Sequence, residues 1–582
     1  MKEKEKAEKS RSGKVTFKAY EQNQMWLLPP SLGELIPEGH IVRLINHAID
    51  SMDLEPILNS YQGGGASNFH PRMMLKALVY GYVDRLYSSR RIEKALKENI
   101  CYMWLCGMQQ PDHNTLNRFR KGQLKDTVKQ VFAQILILLI EEGYVRMEDY
   151  HIDGTKIESV ANRYTPVWAK TVARNKAKLV EKIEGLVAQI EQVNEQAEKE
   201  QVSVERERIE NSEALSRTIQ RINEQLQEEL GNDKKRKKKV KELQEEHLPK
   251  LQHYENQEAI LGGRGSYSKT DPDATFMRMK EDHLNQGQLK PAYNVQIGTE
   301  DQFIVNFSVH QNPADITLLK PHLEDTQAVL ESIQQTMPKR CIADAGYGSE
   351  ENYDYLEGLQ IEAYVKYQGF FQEQQPKHQA DPFQTSNWFY NEEQDFYVCP
   401  MGQRLTYRNS KKVQSSTGYE SDVKVYVAQN CSTCPMQGLC LKAKQTNRVL
   451  ERRPNLERHR DKARKNLKSI RGIHLRKQRN IDVESVFGHI KGNRLFRRFL
   501  LRSLKKVNIE VGLLAIAHNL KKWWANIQQG IGMPTRPGRP PKNPQTAQIA
   551  WENLLFCLFC TLSCHRSPQV HKRSWRLTDP SY

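Results

Sequence analysis

Cys341-Ile-Ala-Asp-Ala-Gly-Tyr-Gly348 is a short apolar run that ends on an acidic residue, Asp344, and breaks at once into a glycine-containing turn. Such a run reads as a strand leaving a sheet core. Ser349 follows as a helix cap, with Glu350 and Glu351 favourably placed in the first turn. Residues 361–367 then return as a second strand. Upstream, a helix is expected from about Ala314, preceded by a hairpin of Pro291–Thr299 and Gln302–His310 around a short polar turn. Further back, Tyr150–Ile157 alternates as a strand does, placing Ile152 and Asp153 on opposite faces.

Two stretches interrupt this pattern. Leu179, Ile183, Leu186, Ile190, Val193 and Ala197, then Leu215, Ile219, Ile222, Leu226 and Leu230, follow heptad spacing, which predicts a coiled-coil insert over 169–260. Both its ends must return to one sheet, so an antiparallel hairpin is expected. Lys234–Lys239 is a basic run that either touches DNA or is simply solvated. The second interruption carries Cys399, Cys431, Cys434 and Cys440, two of them as Cys-x₂-Cys. Four thiolates in one segment suit tetrahedral, structural Zn²⁺ in a zinc-ribbon-like insert over 369–450. Cys101, Cys106 and Cys341 read as core residues. Cys557, Cys560, Cys564 and His565 lie in irregular apolar surroundings and read as incidental. The whole order is β-(insert)-β-β-α-β-α-β-(insert)-α. It predicts an α/β, ribonuclease-H-like core with a mixed five-stranded sheet and flanking helices, over 146–168 and 276–368 and completed by a helix within 451–528.

An all-α N-terminal domain is expected over 21–145, after a charged, disordered segment 1–20. His70-Pro71 starts one helix, Ser88 or Ser89 caps the next, and Asp112 caps a third over His113–Lys121. The third carries Asn114, Asn117, Arg118 and Arg120, and the triplet suggests a helix-turn-helix-like DNA reader with Asn117 and Arg118 as contacts.

The formal net charge of +17 is unevenly placed: residues 451–510 hold nineteen Lys or Arg against six Asp or Glu. That stretch suits a polyphosphate partner. Glu484 sits inside it, in Asp-Val-Glu-Ser-Val-Phe-Gly-His-Ile-Lys (482–491), with Val483, Phe487 and Ile490 forming a core face. Lys491 lies about two turns on, near the same face. Asp153, Asp344 and Glu484 beside such positive charge point to hard cations handling a nucleic-acid phosphate. The start Met-Lys-Glu-Lys-Glu-Lys has no signal-peptide character, and the apolar run near Val131–Ile140 is too short for a bilayer. A cytoplasmic protein with no membrane partner is expected. Beyond Trp523-Trp524, residues 529–582 read as a Pro-rich linker and irregular tail, in which Arg536-Pro-Gly-Arg-Pro-Pro-Lys542 resembles an AT-hook.

Asp153–Glu158, Gly287–Gln296, Ala343–Gly348 and Glu484–Lys491, taken in order, resemble bacterial insertion-sequence transposases of the DDE class. The likeness is to the branch with an N-terminal helical domain, a helical insert after the first Asp and a four-Cys insert before the Glu. The resemblance spans roughly residues 20–525. It implies Asp153, Asp344 and Glu484 as the catalytic triad, holding two Mg²⁺ or Mn²⁺, and Lys491 on substrate DNA. The family pattern also has a Tyr and an Arg upstream of the Glu. Here those positions are Lys477 and Asn480, and Arg479 stands one residue early. Arg479, Arg494, Arg497 and Arg498 complete the expected DNA contacts. The implied activity is cleavage at the element's terminal inverted repeats and transfer of the 3′-OH to target DNA, by a homodimer or larger assembly on DNA at the bacterial nucleoid. A DNA-binding remnant without activity and a metal-dependent nuclease without strand transfer are the alternatives.

Overall fold

The computed structural model describes residues 31–61, 68–195, 209–228, 234–279, 287–441 and 446–530. The charged N-terminus, the AT-hook-like segment and Cys557–His565 lie outside them. Seven helices precede the first strand among the described residues: α1 (Ile41–Asp50), α2 (Glu55–Leu58), α3 (Pro71–Val83), α4 (Ser89–Glu98), α5 (Ile100–Leu105), α6 (His113–Lys121) and α7 (Leu124–Glu141). Pro71 opens α3 as expected, and the Asp112 carboxylate caps α6 by accepting from the Thr115 N–H at 2.7 Å. α3 and α7 are apolar around much of their circumference, which marks them as core helices rather than surface ones.

The sheet that follows is mixed. Its strands are β1 (Asp149–Glu158), β4 (Thr275–Arg278), β5 (Leu289–Glu300), β6 (Phe303–His310), β7 (Arg340–Ala343) and β8 (Glu362–Val365), while β2 (Pro166–Trp168) and β3 (Ser266–Ser268) form a separate pair. The order is β4-β5-β1-β7-β8, with β6 also paired to β5. β5 runs antiparallel to β1, β4 and β6, whereas β7 is parallel to β1 and to β8. Five strands are expected, and this sheet has six among the described residues. β4 was missed because its four residues carry too short an alternation to register. The β5–β6 turn is Asp301-Gln302, both at positive φ, the two-residue geometry that matches the twist of a hairpin. The Glu300 carboxylate accepts from four successive N–H groups at 146–149, fixing the approach to β1.

The first insert is larger than a hairpin. α8 (Ala169–Glu195), α9 (Ser212–Glu228), α10 (Lys234–Glu242), a π turn and α11 (Leu248–Leu261) share one apolar core that includes Ile183, Ile190, Leu215, Ile222, Leu243 and Leu251. Of the heptad positions, Ile183, Ile190, Leu215, Ile219, Ile222 and Leu226 lie in that core and Leu179 and Leu186 pack against it, while the side chains of Val193, Ala197 and Leu230 lie outside the described ones; a third and fourth helix close it. The basic run 234–239 forms part of α10, with Arg236 buried and its neighbours exposed. α12 (Leu319–Ser332), α13 (Glu350–Gly358) and the short α14 (Pro376–Gln379) lie around β7 and β8 in sequence.

The second insert is a five-stranded antiparallel sheet: β9 (Phe389–Asn391), β10 (Phe396–Val398), β11 (Arg404–Gln414), β12 (Glu420–Ala428) and β13 (Val449–Arg452), with α15 (Gln437–Cys440) between the last two. β13 extends the insert two residues past the expected boundary. The β11–β12 hairpin leans on α13 through Ser421 to Glu350 at 2.8 Å and through the Tyr419 hydroxyl to Asp354.

α16 (Pro454–Lys468), α17 (Ile470–Arg479), α18 (Ser485–Gly488) and α19 (Leu504–Gln528) end the described chain. The Asn519 side chain brackets the backbone of Ile304 on both its N–H and C=O at 2.8 Å, so α19 covers the β6 edge. α19 also packs on α3 and α7, and one hydrophobic core runs from the N-terminal helices into the large sheet.

Candidate active site

The hydrogen-bonded register of β1 and β7 ends at His151 opposite Ile342. Continuing it by two residues sets Asp153 beside Asp344, with both side chains on the same face because strands alternate with period two. Extending the β7–β8 register by one residue beyond its last pair, Ala343 opposite Val365, sets Lys366 beside Asp344. Asp344 turns the chain by accepting from the Gly346 N–H at 2.8 Å. The next turn needs glycine at 348: a Cβ there would meet the Lys366 carbonyl oxygen at 2.4 Å. Behind Asp153, Gly154 lies against the Gln296 amide, where a Cβ would overlap at 2.1 Å. Gln296 and Asn294 donate to the Asp315 carboxylate at 3.0 and 2.7 Å, and the Tyr347 hydroxyl donates to Gln296. This buried polar layer fixes both acidic strand ends from the rear.

Glu484 arrives from the other side. Asn480–Glu484 is a π turn, whose i→i+5 bonding is wider than an α turn, and it joins α17 to α18. Val483, Phe487 and Ile490 are buried as the sequence pattern requires. Arg479, the last residue of α17, meets all three acids. Its Nη2 lies 3.1 Å from Asp153 and 3.9 Å from Asp344, and its Nη1 lies 2.8 Å from Glu484. Its side chain is 5% exposed, against 42% for Asp344 and 47% for Glu484, so the group opens to solvent on its acidic side. His151, on the same face as Asp153, is held neutral over most of the pH range, burial pushing it down to about 4. Lys366 is lowered chiefly by its own burial and next by Arg479, while Asp344 and Glu484 act in the opposite sense.

Two family models match this chain. A transposase domain (DUF772) covers residues 30–122, and a transposase DDE domain covers residues 398–524, including Glu484. Together they indicate an insertion-sequence DDE transposase. No curated protein matches the sequence.

The other expected DNA contacts of the transposase are scattered in their surroundings. Lys491 lies on the π turn His489–Asn493, partly buried, seven residues past Glu484. Arg497 and Arg498 are exposed; Arg498 donates to the carbonyls of Ser159 and Ala161 at 3.2 and 3.3 Å. Arg118 is exposed on α6. Arg494 departs from expectation. It is 4% exposed and donates to the carbonyls of Tyr82 and Ala517 at 3.1 and 3.0 Å, so it joins α3 to α19 inside the protein. Asn117 is likewise engaged inward: its amide oxygen accepts from Ser89 at 2.7 Å and from Arg120 at 2.8 Å, tying α6 to α4. Arg479 sits among the acids rather than on an exposed DNA face. Lys366 was missed, because only the parallel register reveals its place beside Asp344.

Cys399, Cys431, Cys434 and Cys440 line one small cavity of about 20 Å³, and all four are free thiols. Burial chiefly raises the Cys440 pKa, and the other three sulfurs add to the rise. Arg448 donates its N–H to the Cys431 sulfur at 3.4 Å. Cys101, Cys106 and Cys341 are buried core residues. A further set of ligand-type atoms belongs to Asp354, Glu357 and His459, within 4.8 Å of one another. Glu357 is paired there with Arg458 and Lys462, both at 2.8 Å. Among the described residues, no helix is long and apolar enough to cross a membrane.

Proposed function

We propose that this transposase cuts phosphodiester bonds at the ends of its element and joins the freed 3′-OH to target DNA, with Asp153, Asp344 and Glu484 as its metal ligands. The observation that carries the reading is the convergence of these three acids, from two adjacent strand ends and one helix, on a single guanidinium. The strand order β6-β5-β1-β7-β8, with β1, β7 and β8 parallel, supports a ribonuclease-H-like core. The donor set is all oxygen and already gathers around positive charge, which fits Mg²⁺ or Mn²⁺. When bound, two such ions would supply Lewis acidity at the attacking and leaving oxygens.

The chain's own residues do the rest. Asp153 and Asp344 are held rigidly by the sheet and by the Gln296–Asp315 layer, so the ligands are set before substrate arrives. Lys366, beside Asp344, and Lys491, seven residues past Glu484, orient the DNA phosphate. Arg497, Arg498 and Arg118 extend the backbone contact, which is electrostatic and sequence-independent. We assign the four cysteines a structural Zn²⁺ that closes the second insert, a tetrahedral set without an open position. The helical first insert, with its heptad-derived core, serves assembly or DNA grip in a homodimer or larger complex at the nucleoid.

The test is one incubation of the protein with paired element-end DNA, target plasmid and Mg²⁺. Joined products support the proposal. Cleavage without joining would make it a nuclease, and binding without cleavage a remnant.

A further inference from the structure

Three carboxylates brought close together repel one another, and something must hold them before metal arrives. Arg479 reaches all three, at 2.8, 3.1 and 3.9 Å, from a side chain that is 5% exposed. We propose that Arg479 is a built-in counter-ion, which holds Asp153, Asp344 and Glu484 assembled in the metal-free transposase and is displaced when divalent cations bind. The inference rests on the reading of the three acids as metal ligands.

The local backbone is shaped for this contact. Residues five apart on an α-helix lie about 140° from each other around the axis. The π turn over Asn480–Glu484 absorbs the additional residue and returns Glu484 to the side of Arg479. The arginine that stands one position early in the sequence is thereby brought onto the glutamate. The contact is also built to be exchanged. The Arg479 Nε is buried without a hydrogen-bond partner, so the guanidinium is held by the acids and not locked on every donor. Asp344 and Glu484 are both more than two-fifths exposed, which leaves a path for an incoming ion. A displaced guanidinium beside a bound phosphate gains a bidentate acceptor in place of the carboxylates. The same side chain would thus guard the empty site and contact the occupied one.

The experiment measures Mn²⁺ binding to the full-length protein without DNA, by calorimetry, together with thermal unfolding. Relative to wild type, Arg479→Gln is expected to bind Mn²⁺ about tenfold more tightly, the size of one screened short-range charge contact. Without metal it should unfold at a lower temperature, and saturating Mn²⁺ should remove that difference. Arg479→Lys keeps the charge but cannot bridge three carboxylates, and should show a smaller gain in affinity; it serves as the test if the Gln variant does not fold. Equal or weaker Mn²⁺ binding by these variants overturns the counter-ion proposal. Asp344→Asn separates this from the underlying reading. If it abolishes Mn²⁺ binding while the Arg479 variants match wild type, the metal site stands and the counter-ion falls. If Asp344→Asn leaves Mn²⁺ binding intact, the metal-ligand reading falls, and the counter-ion proposal with it.

Discussion

Two places in this transposase bring together three side chains of ligand type, and they are built on opposite principles. Asp153, Asp344 and Glu484 stand at strand ends and on a helix, and share the guanidinium of Arg479. Asp354, Glu357 and His459 stand where α13 meets α16, and there the acids have partners of their own. Glu357 pairs with Arg458 and Lys462, while Asp354 accepts from His459, Tyr419 and Asn455. An ion entering the second set would have to break several separate contacts. At the first set, one cation, Arg479, is common to all three acids. Closeness of ligand atoms is therefore a weaker guide to a metal site than the manner in which their charge is already satisfied. The second set reads as a clamp that fastens α13 to α16 and, through Tyr419, to the β11–β12 hairpin.

The largest effect expected from this contrast is on chemistry. Asp344→Asn should lower end cleavage by at least about a thousandfold, since a neutral amide is a poorer ligand and several kcal/mol of charge stabilisation are lost. Its thermal unfolding in the absence of metal should not fall below that of wild type. Asp354→Asn should leave cleavage within about twofold while lowering stability by about 2 kcal/mol, the usual worth of hydrogen bonds to a charged group. The two assays, cleavage and denaturant unfolding, should rank the variants in opposite order. If Asp354→Asn also abolishes cleavage without unfolding the protein, the clamp reading is wrong.

The cysteine cavity gives a third ligand set of a different character, soft and without a paired cation holding each donor. Elemental analysis of protein purified without chelator should find about one zinc per chain. Cys431→Ser with Cys434→Ser should remove it and increase protease cutting within 389–452, with the large sheet still folded. Retention of zinc by the double variant would break the assignment.

The three acids that meet at Arg479 could be singled out in the sequence because each is marked by local chemistry: a strand that stops at Asp344 before a tight turn, an alternating strand at Asp153, an apolar face beside Glu484. The order of elements then followed, since strands, turns and caps are local signals. What the sequence did not reveal depends on contacts distant along the chain. Lys366 gains its meaning from a parallel register. Arg494 and Asn117 looked like DNA contacts by type and charge, but their hydrogen bonds to Tyr82, Ala517 and Ser89 turn them inward. The π turn leaves no mark in residue type, so Arg479 stood out of phase until the helix was seen to widen. The helical insert exceeded the expected hairpin because Val240, Leu243 and Leu251 belong to its core without continuing the heptads.

The smallest expected effect tests the charge balance of the clamp by pH. Hydrogen bonds from Arg458, then Lys462, hold the Glu357 pKa down to about 2, from an ordinary value of 4.5. A carboxyl depressed in the folded state favours folding while it is ionised there. Its contribution is therefore complete above about pH 4.5 and is lost as pH falls toward 2. Glu357→Gln removes the ionisable group. The stability difference between wild type and this variant should be level from pH 7 to pH 5 and shrink steadily below. Because Glu357 is 38% exposed, solvent screens the pair and the plateau should stay within about 1 kcal/mol. Urea unfolding of both proteins at a series of pH values measures it. The acid triad offers a contrast in the same experiment, since added Mn²⁺ at pH 7 should stabilise both proteins equally if Glu357 takes no part in metal binding. A smaller Mn²⁺ effect in Glu357→Gln would move a metal ion to the clamp and overturn the distinction between the two sites.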